Sequence, residues 1–471
     1  MFKIKIPKTS QLGRLPMPEE PIDPDVMRMD MQTFRDLEVF QGDAGAPSLY
    51  DLFANTRTLG GGKVLKDRMK KPFSNPAKIR AVQESIPFIL NYRPGFEHIP
   101  SDLITLEVDK YLTAGLPLVI SESRWELFIG ALEVRFGDFR PYQQILRGVQ
   151  RASKLIRELR ALLAFPQLAS NTAGEIGVYL DELNEIVSRP AFDKIPTNDS
   201  WDLSAWKTLE IDRVFRLHQR DATHRIVELV YQIDALVAMA DACEKFGLVM
   251  PELMDGPLRI EGEGLVNLFV KDPVPNPVQM DQNRRMLFLT GPNMAGKTTY
   301  LRSCAGAVYL SQLGMGVPAT WYRFSPAECM YSSLTVTDSV RGGVSFFRAE
   351  ALRVKAVAEA VMQGRRVVSL MDEPFKGTNV KDALDASQAV LERFAERAGG
   401  LFLVSSHLIE LGDRMMASSQ VDCRHFEATE TDGRLSFEYT IQDGVSSQRL
   451  GMRVLSEEGI FELLDAPVVR V

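Results

Sequence analysis

The sequence predicts a multi-domain chain in which a mainly α-helical region precedes a parallel α/β domain built around a phosphate-binding loop. Three observations carry this expectation. Residues 286–290 are an apolar run of strand length that enters Gly291-Pro-Asn-Met-Ala-Gly-Lys-Thr298 and then a helix-compatible segment. Two further apolar runs follow, residues 367–373 ending in two carboxylates and residues 401–407 ending in a histidine. Ahead of them, residues 102–250 read as mainly helical, and residues 201–246 contain neither proline nor glycine.

The bulk numbers set the outer limits. A chain of 471 residues has room for two or three domains with substantial cores, and 45% hydrophobic with 25% charged residues is an ordinary globular composition. The formal charge of −7 argues against indiscriminate coating of nucleic acid, so DNA contact has to come from local basic patches. Four cysteines, Cys243, Cys304, Cys329 and Cys423, have no paired spacing, which suits a reducing cytoplasm and offers no zinc or disulfide framework. The sequence has no apolar run of membrane-spanning length and no signal-peptide core, so a cytoplasmic protein is expected.

In chain order, residues 1–30 read as an extended arm, since five prolines between Pro7 and Pro24 resist helix. Residues 31–250 read as a helical domain. Within it, residues 60–80 carry Lys63, Lys66, Arg68, Lys70, Lys71, Lys78 and Arg80 against one acid, Asp67, which is either a solvated face or a nucleic-acid contact. Residues 142–165 place Ile145, Val149, Ala152, Leu155 and Leu159 on one stripe, with Arg147, Arg151, Lys154 and Arg157 largely elsewhere. The uninterrupted stretch at 201–246 predicts a lever of about 60 Å if it is one helix. The alternative is a bundle that props the following domain. That domain, residues 251–471, opens with a Pro/Gly-rich entry, and Asp432-Gly433 reads as a hairpin turn.

The chemistry is expected at the loop. Glycines let the backbone curl around oxyanions, and the loop N–H groups and helix N-terminus face them. Lys297 supplies charge to the outer phosphates, and the Thr298 hydroxyl is placed to ligate Mg²⁺. Asp372 is expected to hold the Mg²⁺ through water, Glu373 to orient and deprotonate an attacking water, and His407 to sense the terminal phosphate. The expected nucleotide cradle comprises Gly291, Pro292, Asn293, Met294, Ala295, Gly296, Lys297, Thr298 and Thr299.

Residues 290–302, Thr-Gly-Pro-Asn-Met-Ala-Gly-Lys-Thr-Thr-Tyr-Leu-Arg, resemble the nucleotide loop of the MutS mismatch-repair ATPases. The likeness extends over most of the chain. Asp36-Leu-Glu38, residues 48–58 and Leu65-Lys66 with Pro72 are similar to the start of the MutS core or lever domain. Val274-Pro-Asn276, Asp338, residues 343–350, Asp372-Glu373, Gly377-Thr378, Asp382, Ser406-His407 and Gln442-Asp-Gly444 fall in the family order. The resemblance implies a P-loop NTPase domain of the ABC ATPase class, with ATP and Mg²⁺ as cofactors. It also implies a homodimer in which Ser345 meets the γ-phosphate bound by the other subunit.

Departures narrow the expectation. About 30 residues precede the lever-like start, leaving no room for mismatch-reading domains, and the chain ends within a dozen residues of Gly459. Pro273 stands where the family usually has an adenine-stacking aromatic, with Phe269 the nearby substitute, and Pro374-Phe-Lys376 replaces small residues. The favoured expectation is an ATPase that grips mismatched, branched or distorted DNA. The alternative is a nucleotide-gated module acting on a protein or ribonucleoprotein partner.

Overall fold

The computed structural model describes residues 23–121, 123–136, 139–165, 168, 174–197, 204–334, 346–431, 434–448 and 451–465. Thirteen strands are placed among these: β1 (Arg28–Met29), β2 (Glu252–Leu253), β3 (Ile260–Leu265), β4 (Asn276–Met280), β5 (Met286–Thr290), β6 (Trp321–Phe324), β7 (Cys329–Ser333), β8 (Val367–Asp372), β9 (Gly400–Ser405), β10 (Val421–His425), β11 (Ala428–Thr431), β12 (Arg434–Phe437) and β13 (Gln442–Asp443).

The three apolar runs singled out in the sequence become β5, β8 and β9, neighbours in a sheet of order β1-β7-β8-β9-β5-β10-β13. Every pairing is parallel except β10 with β13. Burial on both faces explains why these strands read as continuous apolar runs rather than alternating ones. Alternate residues serve opposite faces. Met286, Phe288, Phe402 and Val404 join a core with Val357 and Leu391 from the helices Phe346–Met362 and Val380–Glu396. Leu287, Leu289, Leu401 and Leu403 join the other core, with Leu301, Ala305 and Val308 of the helix Lys297–Gln312. A second sheet, β2-β6-β3-β4, flanks the first, and β11 pairs antiparallel with β12. Thr431 faces Arg434 across that hairpin, while the expected turn residues Asp432 and Gly433 lie outside the described residues.

The stretch expected as one long lever is not continuous. The helix Ala205–Arg213 passes into a π-helical turn, Val214–His218, and Gln219 at φ −126°, ψ 31° breaks the path before the helix Arg220–Lys245 begins. The cause is tertiary. Arg216 and Asp212 form a buried ion pair, and Arg216 also donates to the carbonyls of Leu116 and Pro117 at 3.0 and 2.7 Å. The π turn lets Arg216 meet both demands at once, with the Gln219 N–H reaching the Val214 carbonyl at 2.8 Å. The 26-residue helix that follows, about 39 Å long, packs against the helices Leu59–Met69, Pro76–Asn91, Asp102–Thr113 and Gly174–Val187. This region is a bundle rather than a free lever.

The boundary expected at residue 30 also runs through a packed unit. β1 is the edge strand of the main sheet, parallel to β7. In the helix Met31–Asp36, Asp30 caps the N-terminus through the Thr33 N–H at 2.8 Å, and Asp36 accepts from the Ser332 hydroxyl at 2.8 Å and the Leu334 N–H at 2.9 Å. One carboxylate thus caps this short helix and the other stitches it to the C-terminal end of β7, which proline spacing in the preceding arm could not reveal.

Candidate nucleotide site

Thr290 ends β5, and the loop turns at once through Gly291 at φ +141°, where a Cβ would stand 2.7 Å from the Phe426 carbonyl oxygen, so no side chain fits. Met294 and Gly296 also take positive φ before the helix Lys297–Gln312 begins. Pro292 and Ala295 are buried, whereas Asn293, Met294 and Thr299 are exposed toward the mouth of a cavity of about 650 Å³. Lys297, Thr298, Asp372 and Glu373 line the same cavity.

Lys297 is 6% exposed, and its ammonium donates to the carbonyls of Gly291 and Pro292 at 2.8 and 2.9 Å. Burial pulls its pKa below the ordinary lysine value, opposed by the charges of Glu373 and Asp372. A buried cation whose hydrogen bonds go to neutral carbonyls is a ready acceptor of an anion. The Thr298 hydroxyl donates to Asp372 Oδ2 at 2.6 Å, and the Ser405 hydroxyl donates to Asp372 Oδ1. Sheet order makes this possible, because β9 lies between β5 and β8 with Ser405 in register with both Leu289 and Asp372. Sequence reasoning misses Ser405, since a serine inside an apolar strand signals nothing until its neighbours are known.

Glu373 follows at φ +52°, with its N–H on the Ser405 carbonyl at 2.9 Å. His407 Nδ1 lies 3.2 Å from Glu373 Oε1. The hydrogen bond to His407 holds the Glu373 carboxyl below its ordinary value, and the same bond raises the His407 imidazole above its own. The structure therefore brings Lys297, Thr298, Asp372, Glu373 and His407 to one end of the sheet. Ser345, Asp338 and Gly343 lie outside the described residues.

Phe269, the expected substitute for a base-stacking aromatic, does not line this cavity. It borders a separate, small cleft with Leu37, Glu38 and Arg302. Pro273 does line the cavity, and so does Tyr439. Tyr439 sits at φ +54°, a conformation bulky residues rarely adopt, and Asn276 secures its backbone: the amide donates to the Tyr439 carbonyl at 2.9 Å and accepts from the Ile441 N–H at 2.7 Å. The Tyr439 ring approaches Gly296, where a Cβ would come within 3.2 Å of it. Only folding brings residue 439 to residue 296, so a local pattern could not have named it.

The basic stretch at 60–80 divides. Arg68 is drawn into the bundle, donating to both Glu175 oxygens, to Tyr179 and to Gln232. Lys78 pairs with Asp25 at 2.8 Å and Lys70 with Asp67 at 2.9 Å. Lys63, Lys66, Lys71 and Arg80 are exposed, with Lys66 lying over the rings of Phe40 and Tyr50. On the helix Phe139–Leu163, Arg151 pairs with Glu107, and Arg157 donates to the Pro196 carbonyl at 3.3 Å.

A glycine-lined loop at the end of a parallel strand, with a threonine and an aspartate converging beside its lysine, defines a P-loop nucleotide-hydrolase domain. The comparison with known families sharpens that class. Residues 287–464 match the family model of MutS domain V, so this domain is similar to that of the MutS family. Domain V is the ATPase and DNA-binding domain of mismatch-repair proteins. Among the described residues, no helix is long and apolar enough to cross a membrane.

Proposed function

We propose that this chain is a Mg²⁺-dependent ATPase whose nucleotide state drives closure of a homodimer on mismatched, branched or distorted DNA. The observation that carries this reading is the 2.6 Å contact between Thr298 and Asp372 beside a buried lysine whose ammonium is bonded to two neutral carbonyls. A hydroxyl and a carboxylate are the oxygen donors a small hard cation takes, and the cavity beside them accommodates a nucleotide. Mg²⁺ held by Thr298 and Asp372 would neutralise charge on the outer phosphates. Lys297 would exchange its two carbonyl partners for phosphate oxygens, and the loop N–H groups would bind the rest. Glu373 is the base that takes a proton from water, and His407 orients it. Tyr439, which lines the same cavity as Pro273, offers the flat face on which the base rests, in place of Phe269. Ser345, acting on the nucleotide of the other subunit, would make dimer closure depend on ATP.

Glu373→Gln tests this reading, because it removes the base and leaves the metal donors in place. The variant should bind ATP, turn over slower by about two orders of magnitude or more, and accumulate as an ATP-bound dimer in sedimentation. In that trapped state, forked and mismatched duplexes should bind more tightly than plain duplex, with affinity falling as salt rises. Hydrolysis at the wild-type rate would remove Glu373 from the mechanism. A trapped dimer with no salt-dependent DNA affinity would favour a protein or ribonucleoprotein partner instead.

A further inference from the structure

We propose that Glu350 is a positioning residue for Glu373, holding from outside the turn that aims the catalytic carboxylate. The inference rests on the reading of Glu373 as the base. The turn is an improbable one: Glu373 and Phe375 both stand in the left-handed region, at φ +52° and +65°, on either side of Pro374. Side chains bearing a Cβ occupy that region only where the surroundings enforce it.

The enforcement comes from two sides. At its entrance the Glu373 N–H is tied to β9 through the Ser405 carbonyl, and the Ser387 hydroxyl donates to the Pro374 carbonyl at 3.1 Å. At its exit the Gly377 N–H donates to Glu350 Oε2 at 3.2 Å. Glu350 is 5% exposed and, among the described residues, forms no ion pair. Burial raises the Glu350 pKa, opposed by the backbone N–H groups of Gly377 and Lys376 and by the Lys376 charge, so its partners all lie in the turn. One helical turn earlier Phe347 meets the ring of Phe375, with centroids 5.9 Å apart, and Phe375 is buried. Residues 347 and 350 thus share one face of the helix Phe346–Met362, directed at the turn.

The helix itself is anchored against movement. Arg353 donates to Asp30 at 2.7 Å and to the Ser333 hydroxyl at 2.8 Å, tying the helix to the N-terminal segment and to β7. Glu350 therefore transmits the position of a fixed helix to the exit of the catalytic turn. Without it the turn can relax toward ordinary φ values, which swings Glu373 away from the cavity while leaving Lys297, Thr298 and Asp372 in place.

Wild type, Glu350→Ala, Glu350→Gln and Glu373→Gln should be compared by steady-state Mg²⁺-ATP hydrolysis and by equilibrium ATP binding, with thermal melting as a check on folding. Misplacing the base should lower kcat of Glu350→Ala about ten- to a hundredfold, with KM and ATP affinity held within about threefold. Glu350→Gln keeps a carbonyl oxygen for the Gly377 N–H and should recover most of the activity. If Glu350→Ala does not fold, Glu350→Asp, which retracts the acceptor by one methylene, carries the same expectation. A slow Glu373→Gln beside a Glu350 variant of wild-type kcat, or one that loses affinity as much as kcat, overturns this proposal alone. Wild-type turnover by Glu373→Gln would overturn the reading of the base and this proposal with it.

Discussion

Glu373 and His407 titrate against each other, and the signs of their shifts define a pH window. Glu373 is depressed below its ordinary 4.5, so its contribution to stability is complete above that value and is lost as pH falls through the lowered one. His407 is raised above its ordinary 6.5, so its contribution is complete below 6.5 and is lost as pH rises through the raised value. Both contributions are therefore complete together between pH 4.5 and 6.5. The His407 side chain is half exposed, so solvent screens the pair and its weight in overall stability is small. An NMR titration should find the His407 imidazole above 6.5 in the wild type and closer to that value in Glu373→Gln. An unchanged imidazole would mean that the 3.2 Å approach of the two side chains does not persist in solution.

At the scale of elements, the π turn at Val214–His218 shows a side chain dictating backbone. Arg216 and Asp212 have side-chain exposures of 6% and 1%, and Tyr111 donates its hydroxyl to Asp212. Removing one member of such a set leaves the other charge buried and alone, which costs about 3–5 kcal/mol. Arg216→Ala should lower the denaturant midpoint accordingly and free the segment around Leu116 and Pro117 to exchange amide hydrogens faster. Replacing both Asp212 and Arg216 by apolar residues should cost less than Arg216→Ala alone, because no orphaned charge remains. Equal destabilisation in both variants would show that packing, not charge, governs this turn.

Across the whole molecule, the helical bundle and the nucleotide domain share one continuous core, joined along the helix Lys297–Gln312. Arg302 on that helix pairs with Glu38 at 2.8 Å, the Tyr309 hydroxyl donates to the Met69 carbonyl, and the Gln312 carbonyl accepts the Phe73 N–H at 2.7 Å. A helix that begins at the phosphate loop is thus bonded directly to the bundle bearing the basic stretch. With a chain charge of −7, any DNA affinity must come from such a local surface. Replacing Lys63, Lys66 and Lys71 by Gln should weaken binding alike for all DNA forms, and should flatten the salt slope by about 0.9 for each phosphate no longer neutralised. Because Lys70 is already paired with Asp67, Lys70→Gln should add less than the others. An unchanged slope would return these lysines to ordinary surface.

The sequence by itself determined the phosphate loop, the acid and histidine strands, the order of helical region and α/β domain, and the free placement of the cysteines. Each is written in contiguous residues whose chemistry needs no distant partner to be recognised, such as glycines that permit positive φ or an apolar run long enough for a buried strand. Tertiary structure alone decided what depends on neighbours far apart in the chain. The β9 strand slots between β5 and β8, which places Ser405 on Asp372. Residues 28–29 join the main sheet as an edge strand, while Tyr439 rather than Phe269 reaches the cavity. Arg68 leaves the basic surface for a half-buried partner, and the expected lever breaks at Gln219 because Arg216 has a carbonyl to satisfy a hundred residues away. The physical reason is common to all of them. Periodicity records which face of an element is buried, whereas the partner that buries it, and the hydrogen bonds that burial obliges, exist only once the chain has closed on itself.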